Sequence, residues 1–484
     1  MKYQPITNYV GGELINGSGE KLDVISPSDG SLLTQVTLSN YEDLNLAVQK
    51  AKAAFPAWAH MPIKERVQIF FRYKRLLEEN MEELTQIVHE ENGKTLGESR
   101  AEVLKSAELT EFACSMPQLI SGNLLEVSNG VECREERFPV GIVASITPFN
   151  FPNMVPNWSL PNALVLGNTM IMKPSELVPI SANKIAELLT EAGLPKGVFN
   201  VVHGAQEVVE AICDHPDIAA ISFVGSTRVA KIVYKRGTSN LKRVLALGGA
   251  KNHLIVLPDA DVEMTAADVA ASMSGCAGQR CMAASAMVAV GNVDHIIEKL
   301  CDEARKIIPG KNLGSIISAK AKERIENYIN EAEAEGAKIL VDGRNSVVEG
   351  KEGGFYVGPT IVDHVKPGMK IAKEEVFGPV LSIIRKDTLD EALEIENSSE
   401  YGNAAAVFTQ SGGVAKYVVN RASAGMIGVN IGVPVPREPF SFGGWNESRF
   451  GVGDITGKSS IEFWTILKKV TTKWNKGAKT NWMS

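Results

Sequence analysis

GIVASITP (141–148), NTMIMKP (168–174), VFNVVHG (198–204) and AAISFVG (219–225) are four short runs rich in Val and Ile, each followed by a helix-like stretch. Runs of this length, closed by Gly or Pro and alternating with helical periodicity, predict βαβ units and a parallel sheet. Two helix starts are marked: Pro179 with small polar neighbours, and Ser226-Thr227 directly after ISFV and Gly225. Upstream, 41–58 and 63–94 carry apolar residues three and four apart with charges between them, which predicts amphipathic helices over 41–115. Downstream of 247, HLIVLPDAD (253–261), SAMVAVG (285–291), AKILVDGR (337–344) and PVLSIIR (379–385) form a second alternating set and predict a second α/β lobe. The segments 121–139 and 461–474 read as extended and lie outside both rhythms, as strands that pair with another subunit do.

A chain of 484 residues accommodates two or three domains. Its 44% hydrophobic and 22% charged composition is that of a soluble globular protein and excludes long disordered tracts. A net charge of −7 leaves no electrostatic footprint for nucleic acid. Six scattered cysteines form no CxxC pair and no zinc-spaced cluster, so they read as free thiols in a reducing compartment. The N-terminus lacks a basic-flanked apolar core and no apolar run is long enough to span a bilayer. The expectation is a cytoplasmic protein or, after processing, an organellar one.

The stretch richest in chemistry is SGCAGQRCMAAS (274–285), where small residues surround Cys281 and Arg280 precedes it. A nucleophilic thiolate needs room for a carbonyl beside it and a positive charge or helix N-terminus to lower its pKa. Asn150 in PFNFPNMVP (148–156) follows a strand and is placed to aim its amide at a developing oxyanion. MKPSE (172–176) sets Lys173 and Glu176 where a strand meets solvent, a position suited to ribose recognition. FVGSTRVAK (223–231) combines a strand, Gly225 and a helix opened by Ser226, offering backbone N–H groups to a pyrophosphate. EEVFGPV (374–380) runs acidic residues into a Gly-Pro turn. Taken singly, each reads more simply as structure: a buried thiol, a turn Asn, a helix start that is not GxGxxG, a solvated loop.

Taken together and in order, PFNFP, KPSE, FVGST, LALGGAKNH (245–253), GQRC, EEVFGPV and SFGGW (441–445) resemble the aldehyde dehydrogenase superfamily. GAKNH, AGQRCMA, GVPVP (432–436) and the GK followed by EFWT narrow the resemblance to the CoA-acylating methylmalonate-semialdehyde dehydrogenase family. The resemblance covers nearly the whole chain. It implies an α/β fold with a Rossmann-type NAD-binding lobe (1–120 and 139–246), a catalytic lobe (247–440) and a small β oligomerisation arm (121–138 and 461–484). It implies Cys281 as nucleophile and Asn150 as oxyanion donor. Lys173 and Glu176 resemble the adenosine-ribose contacts, Gly225 and Ser226 the pyrophosphate turn, and Glu375 with Phe377 the nicotinamide-ribose clamp; Phe149 is counted with these cofactor contacts. The implied cofactor is NAD, since the Glu176 carboxylate would repel a 2′-phosphate. CoA is the implied co-substrate, a malonate- or methylmalonate-type semialdehyde the substrate, and a homotetramer, a dimer of dimers, the assembly.

The departures are as informative. Hydrolytic members of the superfamily carry a Glu before Leu-Gly-Gly that activates water, and the corresponding residue here is Ala246. The family holds the substrate carboxylate with two arginines; Arg280 matches the first, the second falls on Lys105, and Arg437 is a further cation expected near the substrate mouth. Lys keeps the charge and loses the bidentate fork. Ala230 stands where a second turn glycine often falls, the loop before LGSIIS (313–318) is shorter than usual, and His253 is expected to brace the loop after residue 246. A dehydrogenase for another anionic semialdehyde is the alternative reading, and a catalytically quiet protein on the same fold a more distant one.

Overall fold

The structure, a computed structural model, describes residues 1–474. Phe199–Val201, Thr169–Lys173, Ile142–Ile146, Ile218–Val224 and Arg243–Leu247 lie side by side in that order, all parallel. Every residue of Ile142–Ile146 and Thr169–Lys173 is buried, because helices cover both faces of the sheet, and their runs are therefore mostly apolar. A hairpin at Asn8–Val10 and Glu13–Ile15 extends one edge, and Arg449–Phe450 closes the other. The strand order reverses between Ile142–Ile146 and Ile218–Val224. Their carboxyl ends run into the Phe149-Asn150-Phe151 loop and into Gly225-Ser226, and open parallel sheets take ligands at this crevice.

The second sheet sets Thr360–Asp363, Val380–Lys386, Ala284–Val290, Asn252–Val256, Ala404–Phe408 and Met426–Val429 in parallel, with Lys338–Val341 antiparallel at one edge. Three of these, Thr360–Asp363, Ala404–Phe408 and Met426–Val429, carry no clear strand signal, being short or alanine-rich. One hydrophobic cluster joins the two sheets: Val143, Met170 and Leu247 share it with Met282, Ala404 and Met426, and Cys281 packs against it.

Leu124–Ser128, Val131–Pro139 and Thr465–Lys473 make a separate antiparallel sheet. Its register sets Lys468 against Glu136 and Lys469 against Glu135, opposite charges on facing positions. The extended reading of the tail fails at its start: Ser460–Trp464 is helical, because Ile461, Phe463 and Trp464 turn inward and are buried. The carbonyl of Trp464 accepts from Asn168 Nδ2 at 3.0 Å, which fixes where the strand can begin. Residues 475–484, assigned above to the arm, lie outside the described residues.

The 41–115 region forms four main helices, Tyr41–His60, Ile63–Glu79, Met81–Asn92 and Leu96–Cys114. Between the last two, Gly93 turns the chain in the left-handed region at φ 86°, where a Cβ would lie 2.0 Å from Ser315 Oγ. That turn delivers Lys94 into the interior. Its Nζ lies 2.5 Å from Glu102 Oε2, donates to the Asn150 carbonyl at 2.5 Å, and sits 3.6 Å from the Phe151 ring centroid. Glu102 Oε1 accepts from the N–H groups of Asn153 (2.8 Å) and Met154 (3.0 Å), where helix Met154–Val165 begins. Asn92 Nδ2 donates to the Phe149 carbonyl at 2.8 Å. Lys94→Met is expected to strand the Glu102 carboxylate and to cost about 3–5 kcal/mol in denaturant unfolding, with Lys94→Met/Glu102→Leu recovering part of it. A single-mutant loss below about 1 kcal/mol would remove the pair from this role.

Candidate active site

Cys281 sits in a loop that leaves its side chain little choice of position. Helix Val262–Ser274 stops at Gly275, and Cys276 and Ala277 follow with φ of 54° and 53°, a left-handed kink in two residues that carry a Cβ. Gly278 then passes so close to Gly378 that a Cβ on it would lie 2.1 Å from the Gly378 carbonyl oxygen. The GQRC and EEVFGPV stretches, far apart in sequence, are thus pressed backbone to backbone. The Cys281 carbonyl accepts from Asn252 Nδ2 and Asn403 Nδ2, each at 2.8 Å, and Asn252 Oδ1 takes the N–H of Ala404 at 3.1 Å. Asn252 of GAKNH thus braces the Cys281 loop. His253 is buried within strand Asn252–Val256, and burial pushes its pKa down to about 3.

The electrostatics reverse the expectation of a thiol acidified by its neighbour. Burial pushes Cys281 up to about 12, and the charge of Glu375 acts in the same direction. Arg280 opposes them only weakly, because its Nη2 is engaged with the Ala271 (2.8 Å) and Ser272 (3.1 Å) carbonyls at a helix C-terminus. Its Nε is buried without a partner among the described residues. Glu375 accepts the N–H of Ala250 at 3.0 Å, and burial lifts its carboxyl to about 7. It is no solvated loop residue.

A cavity of about 270 Å³ opens beside Cys281. Its walls are largely apolar, with Phe151, Met154, Met282 and Val433 joined by Trp158 and Phe442, whose tilted rings lie 4.6 Å apart. Arg280 and Lys105 reach it, together with three carboxylates that the sequence reading did not single out, Glu98, Glu102 and Glu438. Glu98 Oε1 accepts the Cys276 N–H at 2.6 Å while Oε2 accepts from Thr95 in a capping box. Glu98 and Glu102 share one face of helix Leu96–Cys114 four residues apart, a spacing visible in sequence. Glutamates on helices are so often solvated that nothing marked these as buried. Lys105 Nζ lies 2.6 Å from Glu438 Oε2 and 3.1 Å from Glu108. Arg437 is exposed and not on the cavity wall; the neighbouring Glu438 is.

Asn150 is buried, its carbonyl held by Lys94, and its side-chain amide makes no hydrogen bond among the described residues. Phe151, the next residue, lines the cavity. On strand Arg243–Leu247, Ala246 does not turn toward the cluster against which Cys281 packs. Ala246 is fully buried on the opposite face, packed with Ala144, Ile146 and Phe223, whereas Leu247 belongs to the cluster against which Cys281 packs. Side chains alternate along a strand, so shifting the assignment by one residue moves it to the other side of the sheet. Leu247, the last residue of the strand, carries no group that can take a proton.

At the crevice, Lys173 is buried within an interior strand and only Glu176 meets solvent; their charged groups lie 3.1 Å apart. Burial of the strand on both faces, not exposure, thus governs Lys173. Gly225 has no room for a side chain, since a Cβ would lie 2.6 Å from the Phe223 ring. Ser226 caps helix Thr227–Ser239 without spending its hydroxyl on the cap, so the first-turn N–H groups remain for an anion. Ala230, fully buried, lets this helix lie close on the sheet. Phe149 and Phe377 meet edge to face at 5.9 Å, with Phe377 held at φ 55°. These groups fit a dinucleotide: a carboxylate for ribose, free N–H groups for pyrophosphate, aromatic edges beyond.

The profile described as "Aldehyde dehydrogenase family" matches residues 14–470. Malonate-semialdehyde dehydrogenase 1 of Geobacillus kaustophilus is 46% identical over 478 residues, covering 97% of this chain and 98% of that protein. Malonate-semialdehyde dehydrogenase 2 of Oceanobacillus iheyensis is 45% identical, with 97% and 98% covered. The crystal structure of methylmalonate-semialdehyde dehydrogenase from Oceanimonas doudoroffii superposes with a TM-score of 0.96 at 40% identity, covering 98% of this chain and 99% of that one. A Sinorhizobium meliloti structure assigned to the same enzyme, complexed with NAD, gives 0.96 and 40% with 99% of both chains covered. With the matched profile spanning nearly all of the described residues, the buried thiol loop, the Asn150 loop and the two facing sheets are those of an enzyme fold, and the chain belongs to the aldehyde dehydrogenase family.

Proposed function

We propose that the chain oxidises malonate or methylmalonate semialdehyde with NAD and transfers the resulting acyl group to CoA, releasing CO₂. The observation that carries the reading is a thiol in a largely apolar cavity with two cations, Arg280 and Lys105, on the wall. Glu98 and Glu102 are spent on backbone N–H groups and Lys94, Glu438 on Lys105, and residue 247 is Leu. The names of the relatives described above support the substrate class.

On this reading the Cys281 sulfur adds to the aldehyde carbon, and the Asn150 amide, uncommitted within the protein, donates to the oxyanion. Arg280, which reaches the cavity wall, holds the substrate carboxylate with its guanidinium. When bound at Glu176, Gly225, Ser226, Glu375 and the Phe149–Phe377 pair, NAD supplies the hydride acceptor that converts the adduct to a thioester. The carboxylate β to that thioester leaves as CO₂, the enolate, stabilised by the same donor, takes a proton at carbon, and the CoA thiolate then attacks the acyl thioester and expels the Cys281 thiolate. The Lys105–Glu438 pair favours one second reading, a semialdehyde whose anionic group is held differently. Every cysteine is unpaired, which supports a reducing, cytoplasmic setting, and no helix among the described residues is long and apolar enough to cross a membrane.

The exposed arm carries Leu124, Leu125, Val127 and Ile466 in the open, and Thr465–Lys473 is a nine-residue edge strand. Such an edge is a template for a partner strand, and the partner proposed is a second copy, with two such dimers forming a tetramer. Light scattering should give four times the 52.2 kDa chain, and a monomeric mass would refute the arm's role.

Cys281→Ala is expected to abolish NADH production while NAD still quenches protein fluorescence, and wild type without CoA should give a burst of NADH and then little turnover. Equal steady rates with and without CoA would refute acylation. Glu176→Gln should shift the NADP-to-NAD ratio of kcat/KM towards NADP by about fivefold, a repulsion of about 1 kcal/mol removed. A wild type that already prefers NADP would overturn the ribose assignment.

A further inference from the structure

We infer that Glu438 is the specificity-determining residue of the substrate cavity, a built-in carboxylate that occupies Lys105 and that the carboxylate of the substrate must displace. The inference rests on the carboxylated-aldehyde reading and goes beyond it by naming what limits charge selectivity. The Lys105–Glu438 pair is close, 2.6 Å, and largely sheltered, with side-chain exposures of 20% and 14%. Both residues line the cavity beside Cys281. Glu108, the other partner of Lys105, is 44% exposed and not on the wall, so solvent screens it far more. The charges on the wall are therefore largely committed to one another before substrate enters. Glu102 is neutralised by Lys94 at 2.5 Å, and Glu98 is fixed by the Cys276 N–H and the Thr95 cap. The cations left are Arg280, with Nη2 already on two carbonyls, and Lys105, already paired. An entering carboxylate meets the negative charge of Glu438 at the place where it needs the positive charge of Lys105, whereas an uncharged aldehyde of the same length meets no such competition.

Displacement is open to Glu438 because of where it sits. It lies in the irregular segment between strand Met426–Val429 and strand Trp445–Asn446, next to exposed Arg437, and not within a sheet or helix. Lys105, by contrast, is fixed on helix Leu96–Cys114. When the substrate enters, the carboxylate that moves is therefore that of Glu438.

The test is steady-state kinetics with saturating NAD and CoA, comparing malonate semialdehyde with propanal, in wild type, Glu438→Gln, Lys105→Met and the double variant. Glu438→Gln should raise the ratio of kcat/KM for malonate semialdehyde over propanal about tenfold, through KM and not kcat. The gain should shrink in the Lys105→Met background, where no lysine remains to be unmasked. Inhibition of propanal oxidation by malonate gives a readout that does not need the semialdehyde to turn over, and its Ki should fall in Glu438→Gln by a similar factor. Should Gln at 438 disturb folding, Glu438→Asp, with its shorter reach to Lys105, should move both readouts in the same direction and less far. An unchanged or lowered ratio with an unchanged malonate Ki overturns the inference. Wild type that oxidises propanal but not malonate semialdehyde overturns the substrate reading instead, while a tightened malonate Ki in Glu438→Gln would still uphold the masking.

Discussion

The ammonium of Lys94 reaches three things at once: the Glu102 carboxylate, the Asn150 carbonyl and the face of Phe151. Each is weak evidence of anything by itself. Together they tie helix Leu96–Cys114 to the loop that leaves the central strand Ile142–Ile146, and Glu102 continues the tie into the first turn of helix Met154–Val165. A charge this deep is tolerated only when every donor and acceptor finds a partner. Because those partners are backbone groups of the Asn150 loop, satisfying the charge and fixing the loop are the same event. The side-chain amide of Asn150 is then left without a competing bond inside the protein, which a donor to a transient oxyanion requires.

The site works against the ionisation of its own nucleophile. Burial and the Glu375 carboxylate both hold the Cys281 thiol protonated, and the adjacent guanidinium is spent on carbonyls of the preceding helix. In such an environment, any change that protonates or moves Glu375 lowers the thiol pKa at once. Glu375 has a carboxyl raised to about 7 and a backbone anchor at Ala250, so its charge state responds near neutral pH. The residue implied as a ribose contact is thereby coupled to the thiol through its charge.

How much of this was legible in the sequence depends on which physical signal each residue carries. The parallel sheets were readable because burial on two faces forces mostly apolar runs, as in Ile142–Ile146 and Thr169–Lys173; Ala404–Phe408 was not, because AAAVF serves a helix equally well. Cys281 stood out through its small neighbours, which exist to let Gly278 touch Gly378. The side of the sheet on which Ala246 lies was not legible because motif spacing does not reveal which face of a strand a side chain takes, whereas packing against Cys281 or against Phe223 decides it. Lys94, Glu102 and Glu438 were invisible for one shared reason: a charged residue in sequence looks solvated, and only tertiary structure reveals the partner that lets it be buried.

The fate of a thioester in this cavity follows from what surrounds it. Hydrolysis needs a water molecule held within reach of a base that can take its proton. The aromatic walls at Trp158 and Phe442 give a water few polar partners. Thiolysis needs neither, since a thiol that arrives as its own thiolate brings the negative charge with it and requires only access and an oxyanion donor. A largely apolar cavity therefore does not slow both routes equally. It suppresses the one that depends on organised water and leaves open the one on which the proposed acyl transfer relies.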